Sequence, residues 1–355
     1  MEVPRYVQIA FVVVILLIVI MGSKNYVQKD GVEAVHTEDV TDEATGVHSI
    51  TPESITSQRE IQVTEEVRLP IADIVYTQQV THSIPIEEIR QGCSRQDCIP
   101  SVDNPQFLST EDAVGKIDPS QIGIALSYKD EDRFYPFSML VTKEIVNDVV
   151  AGDALLITYC PLCGTGIVFD RTVDGVVYEF GVSGMLWQSN LLMYNRAEKI
   201  ENRNLWSQVL GEAVVGERTG TKLEVVSSDI MQFKTWSDEH TDGLVLDTGS
   251  QRDPYAGEYF SVAQRFAPNY DLEASPLAPD TYVYGIEVGG VYKAYPRDVL
   301  TKGTFRDMIN GEEITVSNSN EKVSFTSQEG EIIEDVEGFW FSWVAVHPQT
   351  LIWNK

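Results

Sequence analysis

Positive charge, cysteine and histidine are all scarce in this 355-residue chain. Lys and Arg together number 26 against 54 Asp and Glu, a formal charge of −28. A surface so biased repels phosphate backbones, and no nucleic-acid partner is expected. Of the 5 histidines, His36 and His48 stand isolated in an acidic N-terminal stretch, and only His82, His240 and His347 remain, too few for a local histidine metal cluster. No GxSxG, HExxH, P-loop or helix-opening GxGxxG motif occurs, which removes the sequence support for the corresponding hydrolase, metalloprotease and nucleotide sites. A hydrolase or transferase working through carboxylates likewise has no motif behind it.

Long apolar runs are absent too, with one exception. Residues 7–22 read VQIAFVVVILLIVIMG, and no charge lies between Arg5 and Lys24. Sixteen residues approach the lower limit for crossing hydrocarbon, and no A-x-A-like cleavage site follows at Ser23-Lys24-Asn25-Tyr26. The expectation is an uncleaved single-pass anchor within residues 1–26, contacting the membrane through residues 6–22, with an extracytoplasmic body. Residues 27–69 contain no Phe, Tyr or Trp and far more acids than bases, as an acidic flexible stalk would. The folded body is then expected over 70–355.

Within the body, QIGIALSY (121–128), ALLITY (154–159), GVVYEFGV (175–182), LLMY (191–194), TYVYGIEV (281–288) and GVYKAYP (290–296) read as strands. Helical patterns are short: 137–150, 232–240 and 338–347. The expected class is α+β, predominantly β. Residues 122–148 and 284–310 resemble each other, each with a Gly-Ile strand and a second strand ending in Tyr-Pro. Trp236 to His240 and Trp343 to His347 then repeat a Trp-x-x-x-His spacing. Two related halves, about 120–245 and 280–355, would account for this. In both, the histidine is expected to bond neighbouring backbone and pack on its tryptophan. Trp206, Trp236, Trp340 and Trp343 are expected in the core.

The 4 cysteines form two local pairs, Cys93-x4-Cys98 and Cys160-x2-Cys163. In Cys160-Pro-Leu-Cys163-Gly the proline fixes φ, and the glycine can turn backbone N–H groups toward sulfur. Such a bend aims two thiolates at one metal about 2.3 Å away, or closes a small reducible disulfide. GTGIVFD (164–170) reads as a strand, so the motif is expected as a knuckle between two strands. Three outcomes stay open: one zinc or iron held by all four thiolates; two separate disulfides; or Cys160 and Cys163 alone, as a redox pair or as soft ligands for copper. Asp170 and Arg171 lie just past the knuckle strand, placed to form a functional or a turn-stabilising ion pair.

EIVNDVVAGDALLITYCPLCGTGIVFDRTVDGVVYEFGVSG (144–184), LWSQVLGEAVVG (205–216), DPYAGEY (253–259) and FWFSWVAVHPQT (339–350) together resemble the family catalogued as domain of unknown function 3179, over about Ile84 to Trp353. The resemblance implies no established activity. It implies a body behind a signal peptide or membrane anchor, and it places Cys160, Cys163, Asp170, Arg171, Asn190 and Trp206 on recognisable family positions. Three departures stand out. Thr142-Lys143 replaces a frequent Trp-His. Asn195 replaces an Asp and is followed by an insertion at 199–204, which removes acid–base work there. The Cys93/Cys98 pair replaces a Gly-Pro-rich stretch, which favours an independent Cys93–Cys98 disulfide. The resulting expectation is a metal-binding or thiol-redox module centred on Cys160 and Cys163, with Cys93 and Cys98 as a second pair and Asp170, Arg171, Asn190, His240 and His347 as candidate neighbours. The opposing reading is a binding or structural domain whose cysteines are disulfide staples.

Overall fold

In the computed structural model, residues 59–64, 67–69, 75–76, 79–199, 202–252, 267, 271, 274–319 and 322–354 are described. The expected anchor and most of the expected stalk lie outside them. Among the described residues no helix is long and apolar enough to cross a membrane. The class is α+β and predominantly β: among the described residues the α-helices are Thr110–Ala113, Phe137–Leu140, Phe233–Glu239 and Trp340–Val346, and the rest of the regular structure is almost entirely strand.

The N-terminal part of the body begins with the hairpin Ile122–Tyr128/Glu131–Pro136, in which Ile124 faces Tyr135. An antiparallel meander follows, Ile145–Val150, Asp153–Cys160 and Thr165–Asp170, closed at its far edge by Glu224–Val226. The chain returns as Asp229–Gln232 against the first hairpin strand, turns through Phe233–Glu239, and ends as Leu244–Asp247, parallel to Glu131–Pro136. The C-terminal part follows the same path. Its hairpin is Tyr282–Val288/Val291–Pro296, and its meander is Gly303–Ile309, Glu312–Ser319 and Lys322–Thr326, with Ile332–Ile333 at the edge. Asp335–Phe339 then pairs with the first hairpin strand, and Trp340–Val346 leads to Leu351–Ile352, parallel to the second.

Both parts tie hairpin to meander with one aspartate. Asp148 Oδ2 accepts from Arg133 Nη1 and Tyr135 OH, each at 2.7 Å, and its Oδ1 accepts from the Val149 amide at 2.7 Å. Asp307 Oδ2 takes Lys293 Nζ and Tyr295 OH, each at 2.6 Å, and its Oδ1 takes the Met308 amide at 2.8 Å. A buried carboxylate persists where a base and further donors share its charge.

Between the N-terminal part's meander and its edge strand, the chain contributes four strands of a second sheet, which three strands from residues 62–91 complete. Its strands run in the order Gln62–Thr64, Val80–His82, Glu212–Val215, Leu205–Ser207, Asn190–Asn195, Phe180–Trp187 and Arg90–Gln91. The folded body therefore starts before residue 70. Gln62–Thr64 pairs with Val80–His82, and Val67 and Leu69 are buried, because alternating Val and Thr residues suit a sheet edge even without aromatics. The helix expected over 137–150 also changes. One turn at Phe137–Leu140 stops, Glu144 adopts φ +59°, and the β-branched run after it becomes the strand Ile145–Val150.

Removing either aspartate strands a tyrosine hydroxyl and takes one partner from a base, although Arg133 keeps Glu131 at 2.5 Å. Asp148→Ala is expected to lower unfolding stability by roughly 3–5 kcal/mol. Asp307→Ala should cost less, because that side chain is 16% exposed against 3% for Asp148. Urea unfolding of the two variants tests the order.

Candidate functional site

Strands Asp153–Cys160 and Thr165–Asp170 stay in register up to the pair Cys160↔Thr165, so Pro161, Leu162, Cys163 and Gly164 form a tight turn. The knuckle thus joins two strands. The Cys163 amide donates to Cys160 O at 3.1 Å, and Gly164 takes φ +66°, where a side chain would also meet the Phe339 ring at 2.7 Å. The C-terminal part clamps this turn: the Phe339 amide donates to Cys163 O at 2.8 Å, and Tyr282 OH donates to Gly164 O at 3.1 Å. Cys160 and Cys163 are both free thiols, 1% and 0% exposed.

A second turn covers them. Trp187 faces Asn190 across the tip of the hairpin Phe180–Trp187/Asn190–Asn195, and the two tip residues, Gln188 and Ser189, have φ +50° and +65°. Two-residue hairpin loops need positive φ and normally recruit Asn or Gly; a bulkier residue there costs about 1–2 kcal/mol. Both tip residues are fully buried, where hairpin tips usually meet water. Glu88 helps hold them, accepting from Trp187 Nε1 at 2.9 Å and Gln188 Nε2 at 2.7 Å. The turn brings Ser189 O within 3.3 Å of Cys163 Sγ and 3.8 Å of Cys160 Sγ.

Asn190 completes the approach. Its Oδ1 accepts from the Val209 amide at 3.0 Å, which forces Nδ2 toward Cys163 Sγ at 3.4 Å and Gln208 Oε1 at 2.8 Å. Gln208 is itself oriented: Oε1 accepts from Thr165 Oγ1 at 2.8 Å, and Nε2 donates to Thr158 Oγ1 at 3.1 Å. On helix Trp340–Val346, the Ser342 hydroxyl is buried without a hydrogen-bond partner among the described residues.

The two sulfurs therefore differ. Burial pushes Cys163 up, but its polar surroundings, with Asn190 Nδ2 in hydrogen-bond range at 3.4 Å, outweigh it and hold this thiol below its ordinary value. Burial pushes Cys160 well above the ordinary value, and the charges of Cys163 and Glu144 push it further. Burial, together with the Cys163 charge, also raises the Glu144 carboxyl to about 8. Of the two thiols, Cys163 is the one that ionises more readily.

Of the residues expected beside the knuckle, Asn190 touches a sulfur and the others do not. Asp170 pairs with Leu155 at the opposite end of the hairpin, and its Oδ1 accepts from the Thr172 amide at 2.7 Å. Arg171 is a buried strut, donating to the carbonyls of Leu155, Asp148 and Tyr178 at 3.2, 3.2 and 2.9 Å. His240 stacks on Trp236, with Nδ1 3.1 Å from Asp132 Oδ2. His347 stacks on Tyr292 at 3.8 Å, and burial, with the Arg59 charge, lowers its pKa to about 3 and keeps it neutral. Cys93 and Cys98 are joined to each other, Cα atoms 6.5 Å apart, so a site of four thiolates does not form. No group of three or more His, Cys, Asp or Glu able to hold a metal occurs among the described residues.

Sequence reasoning missed Glu144, Gln188, Ser189, Gln208 and Ser342. Their one signal was polar residues interrupting apolar runs, as in MLWQSNLLMY and LWSQVL.

The model of the family described as Protein of unknown function (DUF3179) matches residues 96–333, more than half of the chain, and the chain belongs to that family. The match contains the knuckle and the buried turn above it. Neither a search of curated proteins nor one of solved structures returns a match.

Asn190→Ala should raise the pH at which Cys163 ionises, because a donor to the charged form is lost. It should also cost about 1–3 kcal/mol by stranding the Val209 amide. Ultraviolet thiolate absorbance followed against pH, with a parallel thermal melt, reads both.

Proposed function

We propose that Cys160 and Cys163 form a thiol-redox centre on the extracytoplasmic body of a membrane-anchored protein. The observation that carries this reading is the asymmetry at the knuckle: Asn190 Nδ2 approaches Cys163 Sγ at 3.4 Å and favours its ionised form, whereas burial raises the Cys160 thiol. A thiolate next to a neutral thiol is the reduced form of an exchanging pair. In oxidation the pair loses two electrons and the S–H proton of Cys160, and one S–S bond forms. Both sulfurs are covered, so exchange is gated by movement of the Gln188–Ser189 tip or of helix Trp340–Val346.

Two thiols fall short of the four ligands of a structural zinc or iron site, which favours redox over zinc or iron binding. The staple reading suits Cys93–Cys98, a closed pair that agrees with an oxidising compartment and with the apolar segment 6–22. The shared strand path and the paired Asp148 and Asp307 clusters support two related halves. In the second half, the turn between Glu312–Ser319 and Lys322–Thr326 stands where the first has its cysteines. One copy carries the chemistry and the other serves as scaffold.

Full-length protein purified without oxygen, then subjected to thiol counting, metal analysis and diamide treatment, tests the reading. The expected result is two free thiols, no stoichiometric metal, and a reversible Cys160–Cys163 bond found by peptide mass spectrometry. One equivalent of bound metal, or a pair that diamide does not oxidise in the native state, overturns it.

A further inference from the structure

The two parts surround one spot with corresponding residues and fill it differently. Along the shared strand path, with Tyr135 matched to Tyr295 and Asp148 to Asp307, the residues Ile124, Phe137, Tyr159 and Gly166 correspond to Tyr284, Arg297, Asn318 and Val323. Phe137 and Arg297 each follow the proline that ends the second hairpin strand. In the N-terminal part the spot is packed solid. Phe137 stacks on Tyr159 with ring centroids 4.0 Å apart, and a side chain on Gly166 would strike Ile124 at 2.9 Å and Phe137 at 3.2 Å. Ile124, Phe137 and Tyr159 are fully buried. In the C-terminal part the four counterparts all line a cavity of about 520 Å³, a size suited to a small molecule. Glu239, at the end of helix Phe233–Glu239, stands on its rim.

Exchanging an aromatic stack for Arg297 and Asn318 gives up apolar packing at a core position, a loss that a bound molecule can restore. The polar groups at the cavity say what kind of molecule. Tyr284 is 2% exposed and packs on Phe325, yet its hydroxyl has no hydrogen-bond partner among the described residues. An enclosed phenol normally finds one, and the cavity is where it can. Arg297 lies over the Tyr282 ring at 5.4 Å, which holds its guanidinium plane in place. Asn318 Nδ2 donates to the carbonyls of Leu300 and Thr301 at 3.3 and 3.4 Å and ties down the segment that carries Lys302 to the rim. Lys302 is exposed and makes no ion pair among the described residues. Two bases thus meet at one cavity in a chain of net charge −28, and Glu239 offsets part of their charge, so the site suits a monoanion. Leu300 and Val323 supply an apolar wall. We infer that this cavity binds a small organic acid, its carboxylate held by Arg297 and Lys302 with the Tyr284 hydroxyl as a further donor, and its hydrocarbon body against Leu300 and Val323. The site goes beyond the redox reading and does not rest on it: it gives a binding role to the part that has no cysteines.

Calorimetric titration of the full-length protein with acetate, 4-methylpentanoate and 3-phenylpropanoate tests the assignment, with 4-methylpentanamide as the uncharged match and inorganic phosphate as the competing anion. The expected result is saturable binding of one or more of the three acids, tighter for those with a hydrocarbon body than for acetate, and none of the amide. Arg297→Gln should weaken binding roughly 30-fold and Tyr284→Phe roughly 10-fold, since each removes a donor to a charged group. Tyr284→Phe keeps the ring and its packing, so it decides the matter should Arg297→Gln not fold. Arg297→Phe combined with Asn318→Tyr, which rebuilds the stack of the N-terminal part, should abolish binding and leave the thermal melt intact. Binding of the acids should be the same in Cys160→Ser, which separates this site from the cysteine pair. No saturable binding of any of the three acids, equal binding of the amide, binding of phosphate alone, or wild-type affinity in both Arg297→Gln and Tyr284→Phe overturns the inference and leaves the redox reading untouched.

Discussion

The site depends on the direction of one amide. Asn190 has to present its oxygen to the Val209 amide, and Gln208, itself locked by Thr158 and Thr165, accepts one of the two Asn190 N–H groups. The remaining N–H has a single destination, Cys163 Sγ. Reversing the amide would strand a buried backbone N–H and oppose two carbonyl oxygens, a cost of several hydrogen bonds at once. An apolar interior would raise both thiols alike; this polar network separates them. The asymmetry of the dithiol is therefore a packing property of three strands, and the cysteine spacing by itself does not produce it.

Several features were legible beforehand because they are local. The knuckle between strands, the two short helices near 233–239 and 340–346, and the stacking of His240 and His347 on aromatic rings follow from periodicity and short spacings. Asn190 was found through family resemblance, and the geometry adds its role. Other features could not be read because they are set by distant partners. Glu144 looked helical, since EIVNDVV continues the pattern of FSML, until the pairing of Ile145 with Thr158 drew it into a sheet. Gln188 and Ser189 are buried by the tertiary fold alone. Asp170 and Arg171 drew notice through nearness in sequence to the knuckle, but a six-residue strand carries them to its far end.

The clamp on the knuckle gives the C-terminal part a role besides bulk. Phe339 and Tyr282 hold the turn's carbonyls, and Gly338 leaves no room for a side chain against Thr165 and the Cys163 carbonyl. The family match ends at residue 333, before Gly338, Phe339 and Ser342. The seam between the two parts is thus where the sulfurs are both polarised and covered, and any exchange reaction must work through it.

Separate ionisation of the two thiols tests this account most directly. In the reduced full-length protein, Cys160→Ser leaves Cys163 alone, and Cys163→Ser leaves Cys160 alone. Thiolate absorbance against pH should place Cys163 below the ordinary thiol value of about 8.5 and Cys160 above it. Two thiols that both titrate above that value would mean the donors around Cys163 do not offset its burial, and the account would be wrong.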